Sequence, residues 1–353
     1  METSIALEKI LVQYFEGTKH RIDFIARFVL SLIQVKRVVL SEIATSLNPE
    51  YENKTNYKRI QRFMSGYSFA IKEVARFVLE QLPKQDDLVL SLDRTNWKFG
   101  KLNINIMAIG AAHRGTAFNL MWMLLAKQGN SNQDERIAFI KTLLTVIPSN
   151  AIKALVADRE FIGAKWFKFL NDQNLKFHIR IRKNMLADSE VKGQHLMKFF
   201  VNLAVNEPLT LHKRYLIGGQ YLSVTGMKLS DGDYLIIVTN ANPKESLQLY
   251  KQRWEIETFF KAIKKTGFDF EATHLTDLDR ISNLLALVTI AFTWAHRMGE
   301  FLNDMIKAIK IKKHGYRALS FFRHGCDYLR SIINHYAHRL DDFYHSLTVL
   351  TCR

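Results

Sequence analysis

Three carboxylates in this sequence stand where metal-assisted phosphoryl transfer would need them. Asp93 closes the alternating, β-prone run DLVLSLD, and Asp158 closes the apolar run IKALVAD before the chain breaks into DREF. Glu257 lies within YKQRWEIETFFKAIKK, residues 250–265, among cationic neighbours. Two-metal catalysis on DNA requires acids that converge on ions about 3.5–4 Å apart. Hard Mg²⁺ takes a few oxygen ligands and completes its shell with water and phosphate, so two or three acids suffice. Taken singly, an aspartate at a strand end is as readily a turn former or a helix cap. A polar helix stripe is as readily a solvated face laced with ion pairs.

At about 100° per residue, one continuous helix would put Tyr250, Arg253, Glu257 and Lys264 on a stripe about 60° wide, with Lys261 on its border. Ile256, Phe259, Phe260 and Ile263 fall on the other side as a core-packing face. One acid flanked by hydrogen-bond donors suits a cleft that holds metal and DNA phosphates together.

The elements that must position these groups follow from the hydrophobic pattern. DLVLSLD (87–93), LNINIMAIGAA and AFNLMWMLLA predict three strands joined by short turns at WKFGK and HRGT. A helical stretch NQDERIAFIKTLLTVI, the strand IKALVAD (152–158), the helix GAKWFKFLNDQN and the strand LKFHIRI (175–181) follow. The order β-β-β-α-β-α-β is that of the ribonuclease H-like fold, an α/β class with a mixed sheet. Its first and fourth strands are neighbours, which would bring Asp93 beside Asp158. LTLHKRYLIGG, QYLSVTGMKL and DYLIIVTN predict a β-strand insertion at about 185–245, and the chain then reads as helical to its end.

Residues 1–82 predict an N-terminal all-helical domain, followed by a catalytic domain over 83–300 and a C-terminal helical region over 301–353. In the N-terminal part, KTNYKRIQRFMSGY gathers Lys54, Lys58, Arg59 and Arg62 around Tyr57 and Phe63. Such a segment suits the basic helix of a DNA-binding bundle, helix-turn-helix in type, or else a solvated basic face. A second basic run, KAIKIKKHGYR, spans 307–317. The excess of 50 Lys and Arg over 34 Asp and Glu, a net charge of +16, favours a polyanionic partner. Cys326 and Cys352 have neither metal nor disulfide spacing and fit a reducing compartment. The N-terminus lacks a signal-peptide apolar stretch. ISNLLALVTIAFTWA (281–295) is shorter than the roughly 20 residues that span a bilayer and predicts a buried helix. No phosphate-binding glycine motif indicates ATP, and the histidines lack zinc spacing.

The spacing Tyr250-x2-Arg253-x3-Glu257-x6-Lys264 resembles the Y-R-E-K signature of IS4-family DDE transposases. LDRTNWKFGK around Asp93 and VADREFIG around Asp158 resemble that family's two catalytic-aspartate motifs, in the same order. The resemblance implies a ribonuclease H-like catalytic domain with a β insertion, an N-terminal DNA-binding domain, and cut-and-paste transposition. It implies that Asp93, Asp158 and Glu257 ligate two Mg²⁺ ions, with Mn²⁺ able to substitute. Tyr250, Arg253 and Lys264 would grip the phosphates of the element's ends, with Lys261 beside them. Arg94, Asn96 and Arg159, next to the aspartates, would contact DNA or support the site, and Lys58, Arg59 and Arg62 would contact DNA from the N-terminal domain. The implied partners are double-stranded terminal repeats and target DNA, met by a homodimer in the bacterial cytoplasm at the nucleoid, without membrane or ATP. Relatives that form a DNA hairpin use a tryptophan in the β insertion. Here Trp97, Trp122, Trp166, Trp254 and Trp294 all lie outside it, and Trp254 is expected to pack, with a wedge near the bases as the alternative. The rival readings are a catalytically silent DNA-binding regulator and a structure-selective nuclease.

Overall fold

The computed structural model describes residues 2–100, 102–187, 194–264, 266–313 and 315–351. Cys352 therefore lies outside the described residues. Five helices open the chain: α1 (Glu2–Leu11), α2 (Lys19–Val35), α3 (Leu40–Leu47), α4 (Asn53–Gly66) and α5 (Ile71–Glu80). Then come β1 (Leu88–Phe99), β2 (Leu102–His113), β3 (Thr116–Leu124), α6 (Gln133–Leu144), β4 (Ile152–Ala157), α7 (Ala164–Asp172) and β5 (Phe177–Arg180). A small ribbon follows, β6 (Leu186–Ala187) with β7 (Gln194–His195), and then β8 (Pro208–Thr210), β9 (Tyr215–Ile217), β10 (Gln220–Lys228) and β11 (Tyr234–Thr239). The remainder is helical apart from connections: α8 (Ser246–Lys251), α9 (Trp254–Ile263), α10 (Leu278–Phe301), α11 (Phe321–Asn334) and α12 (Leu340–Thr348). Two compact units result. One comprises 84–96 and 105–258; the other comprises 1–83, 97–104 and 259–353.

The first unit is built on a mixed sheet in the order β3-β2-β1-β4-β5-β11-β10-β8, with β9 paired to β10. Its centre is parallel: β1 pairs with β4, and β4 with β5. These strands read as nearly unbroken apolar runs because both faces are covered, which parallel strands require. Leu88 to Leu92 and Ala154 to Ala157 are accordingly buried. The expected neighbour relation of the first and fourth strands is present.

The strands of 185–245 extend the same sheet, because β11 pairs antiparallel with β5, and β10 with β11. One sequence expectation changes here. The predicted strand LTLHKRYLIGG splits into β8 and β9, both laid against β10, with a break at Leu211–Arg214. Its two apolar clusters lie on either side of His212, Lys213 and Arg214, and that charged interval ends the first strand.

The second unit is a helical assembly in which α10 packs against α2, α5 and α11. Where α10 meets α11, Gly299 and Gly325 permit close backbone approach: a Cβ on either would collide with backbone atoms of the facing helix. The α10 helix is 24 residues long and continues as a π-helical turn, Leu302–Ile306. It is longer than the apolar segment first suggested, and apolar enough to span a membrane, yet 78% of its most apolar window is buried within the fold. The α3–α4 turn is locked by Asn56, whose amide donates to the carbonyls of Ala44, Asn48 and Tyr51. With Ile60, Phe63 and Met64 turned inward, α4 exposes Lys54, Tyr57, Lys58 and Arg62.

Candidate active site

The parallel β1–β4 ladder ends its pairing at Leu92 and Ala157. One residue further along each chain come Asp93 and Asp158, so the register alone sets the two aspartates side by side. Asp158, expected as the last residue of its strand, lies one residue past the end of β4. Asp93 does not end its own: β1 continues to Phe99, because beyond Leu92 the strand still has β2 as a neighbour after β4 has stopped. Asp93 is thus fixed by backbone on both sides of it.

The segment expected to be one helix is two. α8 ends at Lys251 and α9 begins at Trp254, with a turn at Gln252–Arg253. Leu249 packs on Val89, Ala154 and Val156, holding α8 against the central strands. Ser246 Oγ at the start of α8 is hydrogen-bonded to the buried His178 of β5 at 3.0 Å. At the break, Gln252 O accepts from both the Glu255 N–H and the buried Ser91 hydroxyl, each at 3.0 Å. In the first turn of α9, Glu255 reaches the backbone N–H groups of His113 and Gly115 in the β2–β3 turn.

This corner brings five residues into one network. Arg253 Nη1 lies 3.0 Å from Asp93 Oδ2 and 2.8 Å from Glu257 Oε1. Tyr250 donates its hydroxyl to Asp158 Oδ1 at 3.2 Å, and the Arg253 guanidinium lies over the Tyr250 and Trp254 rings. Arg253 is 5% exposed, and its Nε is buried with no partner among the described residues. Burial pushes the Asp93 carboxyl up to about 6, against the opposing pull of the Arg94 N–H and of Arg253. Burial likewise pushes the Tyr250 hydroxyl upward, so it stays protonated and donates. The Glu257 side chain is 46% exposed. Ile256, Phe259, Phe260 and Ile263 are buried as expected.

The other predicted residues divide clearly. Arg94 is committed within the fold: it forks onto both oxygens of Glu160 and also donates to Asn105 and Asn130, so it braces the strand behind Asp93. Asn96 and Arg159 are exposed. Lys264 lies past the end of α9 and belongs to the helical unit, where it pairs with Glu271 at 3.0 Å and sits over the Trp97 ring. Lys261, in the same unit, is exposed. On α4, Lys58 and Arg62 are exposed, while Arg59 stacks over Tyr51. Trp254 was expected to pack but is 60% exposed. Sequence reasoning missed Ser91, Glu160 and Glu255. Only Ser91 carried a signal, as a lone hydroxyl in an otherwise apolar strand.

Among the described residues, no three acids, histidines or cysteines yet converge closely enough to ligate one ion. Asp93 meets Glu257 only through Arg253, a cation standing between them. Such an arrangement can neutralise two carboxylates, orient a third through Tyr250, and present oxygen donors to a harder cation. No curated protein matches the chain. Residues 84–294 match the family model of the transposase DDE domain. That span exceeds half of the 353 residues and contains all five residues of the network, and the chain belongs to the DDE transposase family.

Proposed function

We propose that this transposase mobilises an insertion sequence of the IS4 type by cut-and-paste: it binds terminal inverted repeats, hydrolyses the DNA at the element's ends and joins the freed ends to target DNA. The observation that carries the reading is the bridging of Asp93 and Glu257 by one buried Arg253, with Tyr250 holding Asp158 beside them. Here a guanidinium stands in for a cation among oxygen-only donors, and such donors suit Mg²⁺ or Mn²⁺. The unpartnered, buried Nε of Arg253 is a further sign of a group the chain itself does not supply, and a phosphate oxygen would satisfy it.

In this reading Asp93, Asp158 and Glu257 hold two divalent ions, whose charge would activate first water and then a DNA 3′-hydroxyl, and offset charge on the leaving oxygen. Arg253 keeps the acids neutralised while DNA is absent and offers its remaining donors to the backbone. Tyr250, always protonated, fixes the orientation of the Asp158 carboxylate. Asn96, Arg159, Lys261 and Lys264 contribute phosphate contacts, and Arg94 acts as a support. The exposed ring of Trp254 offers DNA a stacking surface, which the strands of 185–245 do not supply as tryptophan. On the helical unit, Lys58, Arg59 and Arg62 of α4 engage the terminal repeat, with α3–α4 as a helix-turn-helix, and two copies act on paired ends.

The test uses oligonucleotides carrying the element's ends with Mg²⁺ or Mn²⁺. The reading requires end cleavage and strand transfer that vanish in Asp93→Ala, Asp158→Ala and Glu257→Ala. Binding without metal-dependent cleavage would assign the chain to the silent regulators. Cleavage without joining would assign it to the nucleases.

A further inference from the structure

Between the end of α10 and the start of α11 the helical unit carries a feature that the acid site does not use. Residues 310–313 and 315–318 pair as a short two-stranded projection. Ile311 and Arg317 form an antiparallel bridge, Lys312 N–H donates to Tyr316 O at 2.8 Å, and Ala318 N–H donates to Lys310 O at 2.8 Å. Gly315, with φ +82°, closes the turn by donating to Lys312 O, a backbone geometry that favours glycine. The Asn303 side chain anchors the base by accepting from Ile309 N–H.

Its chemistry is one-sided. From Met305 to Cys326 the sequence contains no Asp or Glu, whereas Lys307, Lys310, Lys312, Lys313 and Arg317 are all exposed. Among the described residues none of the four lysines has an acidic partner, and Arg317 lies on the Phe321 ring instead. Ile311 and Tyr316 stand out from the same projection, Tyr316 being 75% exposed. An isolated two-stranded ribbon is marginal in water, and unpaired like charges on it add repulsion. Such a ribbon is stabilised by whatever neutralises it. An alternation of lysines with an aromatic and an aliphatic side chain matches a phosphate backbone with an accessible groove or base face.

We infer that the 307–317 projection is a DNA-backbone contact carried by the helical unit. It is additional to α4 and to the Tyr250–Lys264 segment, and it rests on DNA being the substrate of this transposase. The lysines meet phosphates, and Tyr316 contributes contact without sequence selection.

The experiment measures affinity for a 30-base-pair duplex by fluorescence anisotropy across a salt series. It compares the wild type with a variant in which Lys307, Lys310, Lys312 and Lys313 are all alanine, and with one in which all four are arginine. Each phosphate contact contributes about −0.9 to the slope of log K against log salt, so losing all four should make the slope shallower by about 3.6. Its affinity should fall at least about tenfold near 100 mM salt, and the arginine variant should restore both. Circular dichroism and the melting temperature of the alanine variant should be those of the wild type. An unchanged slope and affinity would overturn the inference. So would a slope unchanged while self-association, or binding to phosphatidylglycerol vesicles, is lost, since the projection would then serve a second copy or a lipid surface. Failure of the wild type to bind any duplex would overturn the transposition reading itself, which separates the two.

Discussion

The aspartates of the β1–β4 pair and the glutamate of the α8–α9 corner are held by different physics. Asp93 and Asp158 stand where a parallel backbone ladder leaves them, on strands buried on both faces. Shifting either would mean breaking main-chain hydrogen bonds and opening the core. Glu257 sits half exposed on the first turns of a helix, and its position beside Asp93 is set by one side chain, Arg253. Two acids are therefore preset by the fold, and the third is placed by a cation. A site so divided can keep its fixed acids rigid while the third adjusts when charge enters. The buried Arg253 and the turn at Gln252–Arg253 are the joint between the two regimes.

The largest expected effect breaks the fixed half. Asp93→Asn or Asp158→Asn should lower end cleavage by about a thousandfold or more, because several kcal/mol of transition-state charge stabilisation is lost. Circular dichroism should show the fold retained; an unfolded variant would mean that the aspartates are needed for packing and not for chemistry.

Next in size is the joint itself. Arg253→Leu leaves the mostly buried Asp93 without its cation and should cost about 3 kcal/mol in urea unfolding. Glu257→Gln, on the exposed side of the same arginine, should cost less than about 1 kcal/mol. Equal costs for the two would erase the distinction between the fixed acid and the placed one. Tyr250→Phe removes a single hydroxyl donor to the Asp158 carboxylate and should cost about 1.5 kcal/mol, with side-chain packing otherwise kept.

The smallest effect concerns the anchor of α9. Burial pushes Glu255 up to about 7. A carboxyl raised above its unfolded value binds its proton more tightly when folded, so its contribution to stability is full below about 4.5 and is lost as pH rises through about 7. Glu255→Gln should therefore flatten the fall in melting temperature between pH 5 and pH 8. A variant whose melting temperature still falls as in the wild type would show that Glu255 is not the group responsible.

Much of the fixed half was legible in the residues. Periodicity gave the strand order, and the apolar runs ending in Asp93 and Asp158 gave both positions, because parallel strands advertise double-sided burial. The joint was not legible. A helical wheel assumes unbroken geometry, and nothing in YKQRWEIE marks the turn at Gln252: there is no Gly or Pro, and the Ser91 hydroxyl bonded to the turn comes from 161 residues away in sequence. The same assumption placed Lys264 on the stripe, although it lies beyond the end of α9 and is paired with Glu271. The sheet extension by β10 and β11 was also hidden, since alternation reveals a strand but not its neighbour.

The central claim is that Asp93, Asp158 and Glu257 form one metal site once DNA is present. It is tested most directly by anomalous diffraction from crystals of the protein with terminal-repeat DNA and Mn²⁺. The account predicts Mn²⁺ peaks ligated by Asp93 with Asp158 and by Asp93 with Glu257, and Arg253 turned onto a phosphate. Clear Mn²⁺ peaks elsewhere, with Arg253 still bridging Asp93 and Glu257 in the DNA complex, would contradict it.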